Sequence, residues 1–472
     1  MFLNSLDYFF FLTLAVILYY LFPFKIRWIF LVITSYYFCY NISVLFLLPL
    51  MLLTVLTFFG GLLIFHIKKN TEKKFIFIFF VGFAITILFL FKYCNLIEKL
   101  SPLLPTDSFL KLPPYYANIL LPIGISYYSF QALSYLTDIY IGKVVPEKNF
   151  GIFSLYLSFF PKFLQGPIER AGILIPQFRL KRRFNYNYFI SGSKLILFGL
   201  FKKVVIADRL SPYVERVFSD VSSYHGLTLG VVVVFFAIQM YADFSGYTDM
   251  ALGSATFFGI DLTDNFNCPY LAKNIQDFWR RWHITLSSWV RDYIYIPLSF
   301  MTRSFGYIGF TASLISAFLI LGLWHGAAKG YIIFGFIHGI FFSISALTQK
   351  QRDSFWKQYK VITPVKTFFE RLIVLSIVLF SFVFFRAKSV SDSFYIIGHF
   401  FDFSNTLFDF RPYSKFLLNT ILILSFFVLE YFIKVRQTRE TQPWLKNILY
   451  IYIIFSVILY GKIANEFIYI AF

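Results

Sequence analysis

The stretch Val231-Val232-Val233-Val234-Phe235-Phe236-Ala237-Ile238, continued by Gln239-Met240-Tyr241-Ala242-Asp243-Phe244-Ser245-Gly246-Tyr247-Thr248-Asp249, decides how this chain folds. An apolar run leads straight into a carboxamide, a carboxylate and a tyrosine. If the run continues as a helix, Gln239, Asp243 and Tyr247 fall at i, i+4 and i+8 and share one face. In hydrocarbon a carboxylate is costly, so by default it turns to a bundle interior and finds a partner there. The plainer alternative is a carboxylate at the membrane interface. Either way the stretch reads as a membrane helix with a polar stripe.

The rest of the chain agrees. Of 472 residues, 58% are hydrophobic and 14% charged, which leaves too little polar surface to keep a soluble chain dispersed. Apolar runs near the roughly 20 residues needed to cross a bilayer recur from Tyr8–Phe22 to Ile451–Phe472, about a dozen in all. The fold class expected is an all-α multi-pass membrane protein with roughly 11–12 transmembrane helices. Met1 to Asp7 carries no basic n-region and no cleavage site follows, so the first hydrophobic segment is expected to stay as a helix. Cys39, Cys94 and Cys268 form no CxxC pair, which indicates neither a disulfide scaffold nor a metal site.

A net charge of +19 raises the question of nucleic acid. The basic residues, however, are scattered in clusters between apolar spans: Lys25 and Arg27, Lys68 to Lys74, Arg179 to Arg183, Lys350 to Arg371, and Lys434 to Lys446. That is the positive-inside pattern of cytoplasmic loops, so no nucleic-acid partner is expected. Placing the first two clusters inside puts the N-terminus outside and makes Asn95–Tyr116 an outer loop or partly interfacial piece. Between residues 121 and 339, Pro, Gly and ionisable residues interrupt the apolar stretches, as in Leu121-Pro122-Ile123-Gly124 and Gln165-Gly166-Pro167. Broken backbone at membrane depth requires protein or a polar cavity around it, so this region is expected to be a core around a polar interior. With no repeat, linker or soluble segment, residues 1–472 read as one membrane domain.

Two further clusters carry candidate chemistry. Asn265-Phe266-Asn267-Cys268-Pro269-Tyr270 precedes Asp277-Phe278-Trp279-Arg280-Arg281-Trp282-His283-Ile284-Thr285-Leu286-Ser287-Ser288-Trp289, an aromatic and basic amphipathic segment. Anchoring at an interface explains such a segment; a phosphate-bearing donor meeting Arg280 and Arg281 explains it equally well. In Leu321-Gly322-Leu323-Trp324-His325-Gly326-Ala327-Ala328, a histidine ends a long apolar run with small residues after it. A neutral buried imidazole accepts a proton from an attacking hydroxyl, although a lone histidine is more commonly a satisfied core residue. His338 would point about 220° away on one continuous helix, unless Gly330 marks a break. His66, His225 and His399 lie at span ends or loops and receive no role. The chain has no G-x-S-x-G elbow, P-loop, G-x-G-x-x-G or H-E-x-x-H.

Taken in order, Leu121 to Gln131, Gln165-Gly166-Pro167-Ile168-Glu169-Arg170, Tyr241 to Tyr247, Phe278-Trp279-Arg280-Arg281-Trp282-His283 and Leu323-Trp324-His325-Gly326 resemble the membrane-bound O-acyltransferase family. The likeness is greatest to its bacterial branch containing the alginate O-acetylation membrane subunit; the D-alanyl transfer protein of teichoic acid synthesis is more distant. The resemblance implies helices, some re-entrant or interfacial, around a central funnel or tunnel. The family's essential histidine matches His325, and a second histidine of the branch matches His283. It also implies an O-acetyltransferase of the bacterial inner membrane. Its donor would be acetyl-CoA or another cytoplasmic acyl thioester, with no bound cofactor; its acceptor would be an extracytoplasmic polysaccharide, with a periplasmic or surface partner completing transfer. One departure is visible: relatives commonly follow Tyr-Ile-Pro with Gly-Gly-Asn-Arg, whereas Tyr295-Ile296-Pro297 here leads into Leu298-Ser299-Phe300-Met301-Thr302-Arg303.

The expected site therefore has His325 and His283 as catalytic residues. Asp243, Tyr247, Gln239, Arg280, Arg281, Trp282, Trp324 and Asn265 are expected to line the pocket or hold the donor. Rival readings are a transporter or flippase for lipid-linked saccharide or acyl groups, suggested by the broken helices, a structural scaffold, and D-alanyl rather than acetyl transfer.

Overall fold

The computed structural model describes residues 1–92, 124–359, 362–402, 410, 412–435 and 443–462, and every regular element among them is helical. Cys94, the expected outer loop Asn95–Tyr116 and the Leu121-Pro122-Ile123 start of the first motif lie outside the described residues. Seven helices among those described are long and apolar enough to cross a membrane: Val44–His66, Asn70–Lys92, Gly226–Thr256, Arg303–His325, Lys329–Leu347, Thr363–Arg386 and Tyr413–Ile433. Leu6–Leu21 and Asn447–Tyr460 are apolar but shorter. Rows of exposed apolar side chains, such as Phe10, Leu14, Ile17 and Leu21 on the first helix, mark faces turned toward lipid. The chain is a multi-pass membrane protein.

It divides into two compact units, residues 1–196 with 247–263, and residues 197–246 with 264–472. The first unit packs Leu6–Leu21, Arg27–Ile42, Leu47–His66 and Asn70–Lys92 with Ile125–Tyr140 and Phe150–Ser158. Its core is aromatic: the Phe11 and Phe160 rings meet edge-on at 5.1 Å, and Phe38 lies 5.8 Å from Phe160. Polar groups inside it are tied down. Tyr8 OH donates to Ser254 Oγ at 2.9 Å, and Lys162 Nζ to Gln131 Oε1 at 2.8 Å. Glu169 of the Gln165–Arg170 motif accepts from Thr263 N at 2.6 Å and Thr263 Oγ1 at 3.1 Å. This motif thus holds an irregular connection in place, as non-helical backbone inside a membrane protein requires.

The second unit carries residues 241–246, 278–283 and 323–326 of the other motifs. Its organising element is a hairpin of two antiparallel helices, Gly306–His325 and Lys329–Leu347, joined by only Gly326, Ala327 and Ala328. The two cross so closely that a Cβ on Gly322 would lie 2.3 Å from Tyr331 O, and one on Gly335 would lie 2.2 Å from Phe318 O. Small residues at such a crossing let backbones approach where lipid supplies no hydrophobic drive. Gly322→Leu is expected to cost about 1–3 kcal/mol or more through overpacking. Gly82→Leu, on the span Asn70–Lys92 with nothing within 4 Å of its Cβ, is expected to cost little. Comparing unfolding midpoints of the two variants in detergent tests this; equal midpoints would contradict the close crossing.

Candidate functional site

The hairpin turn sets His325 at the C-terminal end of its first helix, 7% exposed. Phe385 meets its ring edge-on at 5.0 Å, Phe334 at 6.0 Å, and Tyr331 lies 6.1 Å away. The preceding Trp324 ring is 4.8 Å from it. His338 sits on the second helix of the hairpin rather than on a continuation of the first, so the break at Gly326–Ala328 replaces the angular argument. Its chemistry is closed: Trp279 Nε1–H donates to Nδ1 at 3.2 Å. Because indole only donates, the ring proton is on Nε2, which donates to Ser381 Oγ at 2.9 Å. His338 is a core histidine that ties three helices together.

His283 stands where sequence led us to expect one amphipathic helix. Instead, Ile275–Arg281 and Ile284–Val290 are separate, and His283 between them has φ 43° and ψ 56° in the left-handed region. A non-glycine residue there costs about 1–3 kcal/mol. Surrounding bonds impose it: Asn267 N donates to Arg281 O and Ile284 N to Asn265 O, both at 2.9 Å, pairing the 265–267 loop with the break. The tryptophans Trp279, Trp282 and Trp289 are accordingly 6–7% exposed, inside the unit rather than along an interface.

Asn265 then fixes the imidazole. Its Oδ1 accepts from Thr285 N at 3.1 Å and Thr285 Oγ1 at 2.9 Å, and lies 3.0 Å from His283 Nδ1. A backbone N–H can only donate, so this atom is an oxygen and His283 Nδ1 carries the proton. Nε2 is left as the basic nitrogen. The ring meets Phe244 edge-on at 4.7 Å and lies 6.3 Å from Trp324. The two histidines foreseen from sequence therefore flank one indole, Trp324, in a mostly aromatic enclosure.

Trp282 stacks on Phe278 at 5.6 Å and is edge-on to Phe266 at 5.3 Å. Gln239 is buried, and its Oε1 has no hydrogen-bond partner among the described residues. The 231–238 run does continue as the helix Gly226–Thr256, but Tyr247 begins the part of it that belongs to the first unit. Arg280 and Arg281 diverge. Arg281 is bound by Asp277 at 2.8 Å and donates to Asn267 O at 3.3 Å, bracing the His283 break. Arg280 is exposed and faces a separate cavity.

Asp243 pairs with a lysine that lies outside every motif of the sequence. The helix Tyr186–Leu200 ends in a π-helical turn, Phe201–Ala207, in which both Lys202 and Lys203 are fully buried. Lys203 Nζ lies 2.7 Å from Asp243 Oδ1 and 2.8 Å from Asp208 Oδ1. Lys202 Nζ lies 3.9 Å from Glu430, whose carboxylate accepts from Tyr241 OH. The signal was present in the sequence: two lysines within Leu195–Ala207 and one glutamate within Ile421–Phe432, each ionisable in an apolar run.

The family model described as MBOAT, membrane-bound O-acyltransferase family, matches residues 34–385. The chain belongs to the membrane-bound O-acyltransferase family. It is 33% identical to a probable alginate O-acetylase of Azotobacter vinelandii over 412 residues, covering 86% of this chain and 78% of that protein. It is 32% identical to a peptidoglycan O-acetyltransferase of Helicobacter pylori over 394 residues, 78% of this chain and 72% of that one. A teichoic acid D-alanyltransferase of Bacillus subtilis is 28% identical over 287 residues, 58% of this chain and 71% of that protein. The MBOAT match includes His283, His325 and the hairpin, and the chain is an acyltransferase.

For this MBOAT protein, burial pushes the His283 imidazole from 6.5 down to about 3. The folded state thus favours the neutral ring: its contribution to stability is full above about pH 6.5 and is lost as pH falls toward 3. The unfolding midpoint is expected to drop between about pH 7 and about pH 5. That drop should be shallower in His283→Asn, a residue that tolerates the left-handed backbone. Parallel curves for the two proteins would refute the neutral assignment.

Proposed function

We propose that this acyltransferase moves an acetyl group from a thioester donor, acetyl-CoA or another acyl thioester made in the cytoplasm, toward a hydroxyl of an envelope polysaccharide outside. The observation that carries the reading is the pair of buried imidazoles flanking Trp324, one at the end of a membrane-crossing helix and one held in a single tautomer by Asn265. His325 takes the proton of the acceptor hydroxyl as its oxygen attacks the thioester carbonyl. The tetrahedral intermediate collapses with cleavage of the C–S bond, and the imidazolium returns its proton to the departing thiolate. The products are an oxygen ester and a free thiol. His283, with Nδ1 occupied by Asn265, offers Nε2 to orient the acceptor or donor. Trp324 and Trp282 keep water from the thioester, and Asp243, paired with Lys203, holds the helix that carries Phe244 against His283.

The names of the relatives support acetyl over D-alanyl, since the two acetylating proteins match more of this chain at higher identity than the D-alanyltransferase does. In this reading the protein sits in the bacterial inner membrane with its N-terminus outside, and a periplasmic or surface partner completes transfer to the sugar. The test is thiol release by the protein in membrane vesicles that retain its partners, supplied with acetyl-CoA or with a D-alanyl thioester, in the presence and absence of a polysaccharide acceptor. Acceptor-dependent release with acetyl-CoA, absent in His325→Ala, is expected. Release only from a D-alanyl thioester would transfer the assignment to the other acyl group.

A further inference from the structure

A cavity of about 320 Å³ in the second unit has neither His283 nor His325 in its lining, although Arg280, which the sequence offered to the donor, is part of it. Its walls are apolar: Leu314, Ala317, Phe318 and Leu321 from the membrane-crossing helix of the hairpin, faced by Ile284 and Val290. Arg280 and Arg291 also line it, and both are exposed, so the guanidinium groups stand at its mouth. Arg280 makes no ion pair among the described residues, whereas Arg291 meets only the half-buried Asp292 at 2.8 Å. Ser287 and Ser288 add hydroxyls to the lining.

The chain just beyond the cavity shows where its occupant comes from. Tyr295 lines the cavity, and after it Ile296, Phe300, Met301, Phe305, Tyr307 and Ile308 present large apolar side chains outward, from 38% to 79% exposed. In a multi-pass membrane protein such a surface faces lipid. An apolar slot beside the bilayer, with two cations at its mouth, matches an amphiphile that carries a hydrocarbon chain and an anionic phosphate.

We propose that this cavity is a binding site for an anionic phospholipid, one acyl chain against Leu314–Leu321 and the phosphate between Arg280 and Arg291. The occupant braces the two short helices that frame the His283 break. It is recruited from the membrane, not from solution, and the assignment does not depend on which acyl group the enzyme transfers.

The test is lipid retention by the full-length protein in detergent, read by native mass spectrometry with phosphatidylglycerol or phosphatidylcholine of identical acyl chains. Wild type is expected to retain phosphatidylglycerol over phosphatidylcholine by roughly five-fold or more per arginine engaged. Arg280→Gln with Arg291→Gln is expected to bring that ratio to about one. Ala317→Phe, which fills the slot, is expected to lower retention of both lipids. Equal retention of the two lipids by wild type would overturn the proposal without need of any variant. So would displacement of phosphatidylglycerol by soluble coenzyme A or inorganic phosphate, either of which would make the cavity a site for a soluble phosphate.

Discussion

His325→Ala is expected to lower the rate of acyl transfer by about 10²–10⁴-fold while leaving the protein folded in the membrane. The range is that of a general base removed from a site that otherwise keeps its shape. The fold should survive because His325 ends its helix at the hairpin turn, where the ring edges of Phe385 and Phe334 and the tilted ring of Tyr331 pack around it and remain in place when the imidazole is removed. Truncation leaves a space among aromatic side chains, whose cost is modest beside a loss of this size in rate. A variant that unfolds, or one that transfers at the wild-type rate, would each contradict the assignment. Gel filtration and the rate on the same preparation separate the two.

Lys203→Met is expected to have the largest effect on stability. Lys203 is 1% exposed between Asp208 and Asp243, themselves 4% and 1% exposed. Removing the cation breaks its ion pairs with both buried carboxylates, and removing one partner of a buried pair costs about 3–5 kcal/mol. That is a large part of the total stability of about 5–15 kcal/mol that a native domain has. Little monodisperse protein is expected. Asp243→Asn keeps Lys203 with Asp208 and should cost less; added to Lys203→Met it should recover part of the loss. If Lys203→Met folds like wild type and lacks only activity, the lysine belongs to the chemistry and not to the architecture.

The broad architecture was legible because long apolar runs and clustered basic residues are imposed by the bilayer whatever the tertiary contacts. Asp243 was legible for the same reason: a carboxylate following Val231–Ile238 must have a partner. Which partner it takes was not, because Lys203 lies 40 residues away and faces inward together with Lys202 only through the π-helical turn at Phe201–Ala207. The break at His283 was hidden more deeply. Asp277 to Trp289 has the composition of one amphipathic helix, and the left-handed conformation comes from pairing with Asn265 and Asn267, a long-range bond pattern that local propensity does not contain. The hold of Asn265 on the tautomer of His283 is not legible in the sequence, because it depends on a contact across 18 residues that the left-handed break creates. Arg280 and Arg281 read as one dibasic feature, yet neighbours on a helix diverge by about 100°, and one braces the loop while the other opens on a cavity.

Acyl transfer toward an envelope polysaccharide through His325 is the activity proposed for this protein. It is tested most directly by the acetate that mild alkali releases from envelope polysaccharides of cells carrying the intact gene, a deletion, or His325→Ala at normal membrane level. Loss of one ester-linked acetyl pool in both the deletion and the His325→Ala cells is the predicted result, and it identifies the acceptor. Acetylation that disappears in the deletion but persists with His325→Ala would contradict the account and leave the protein a transport or scaffold role.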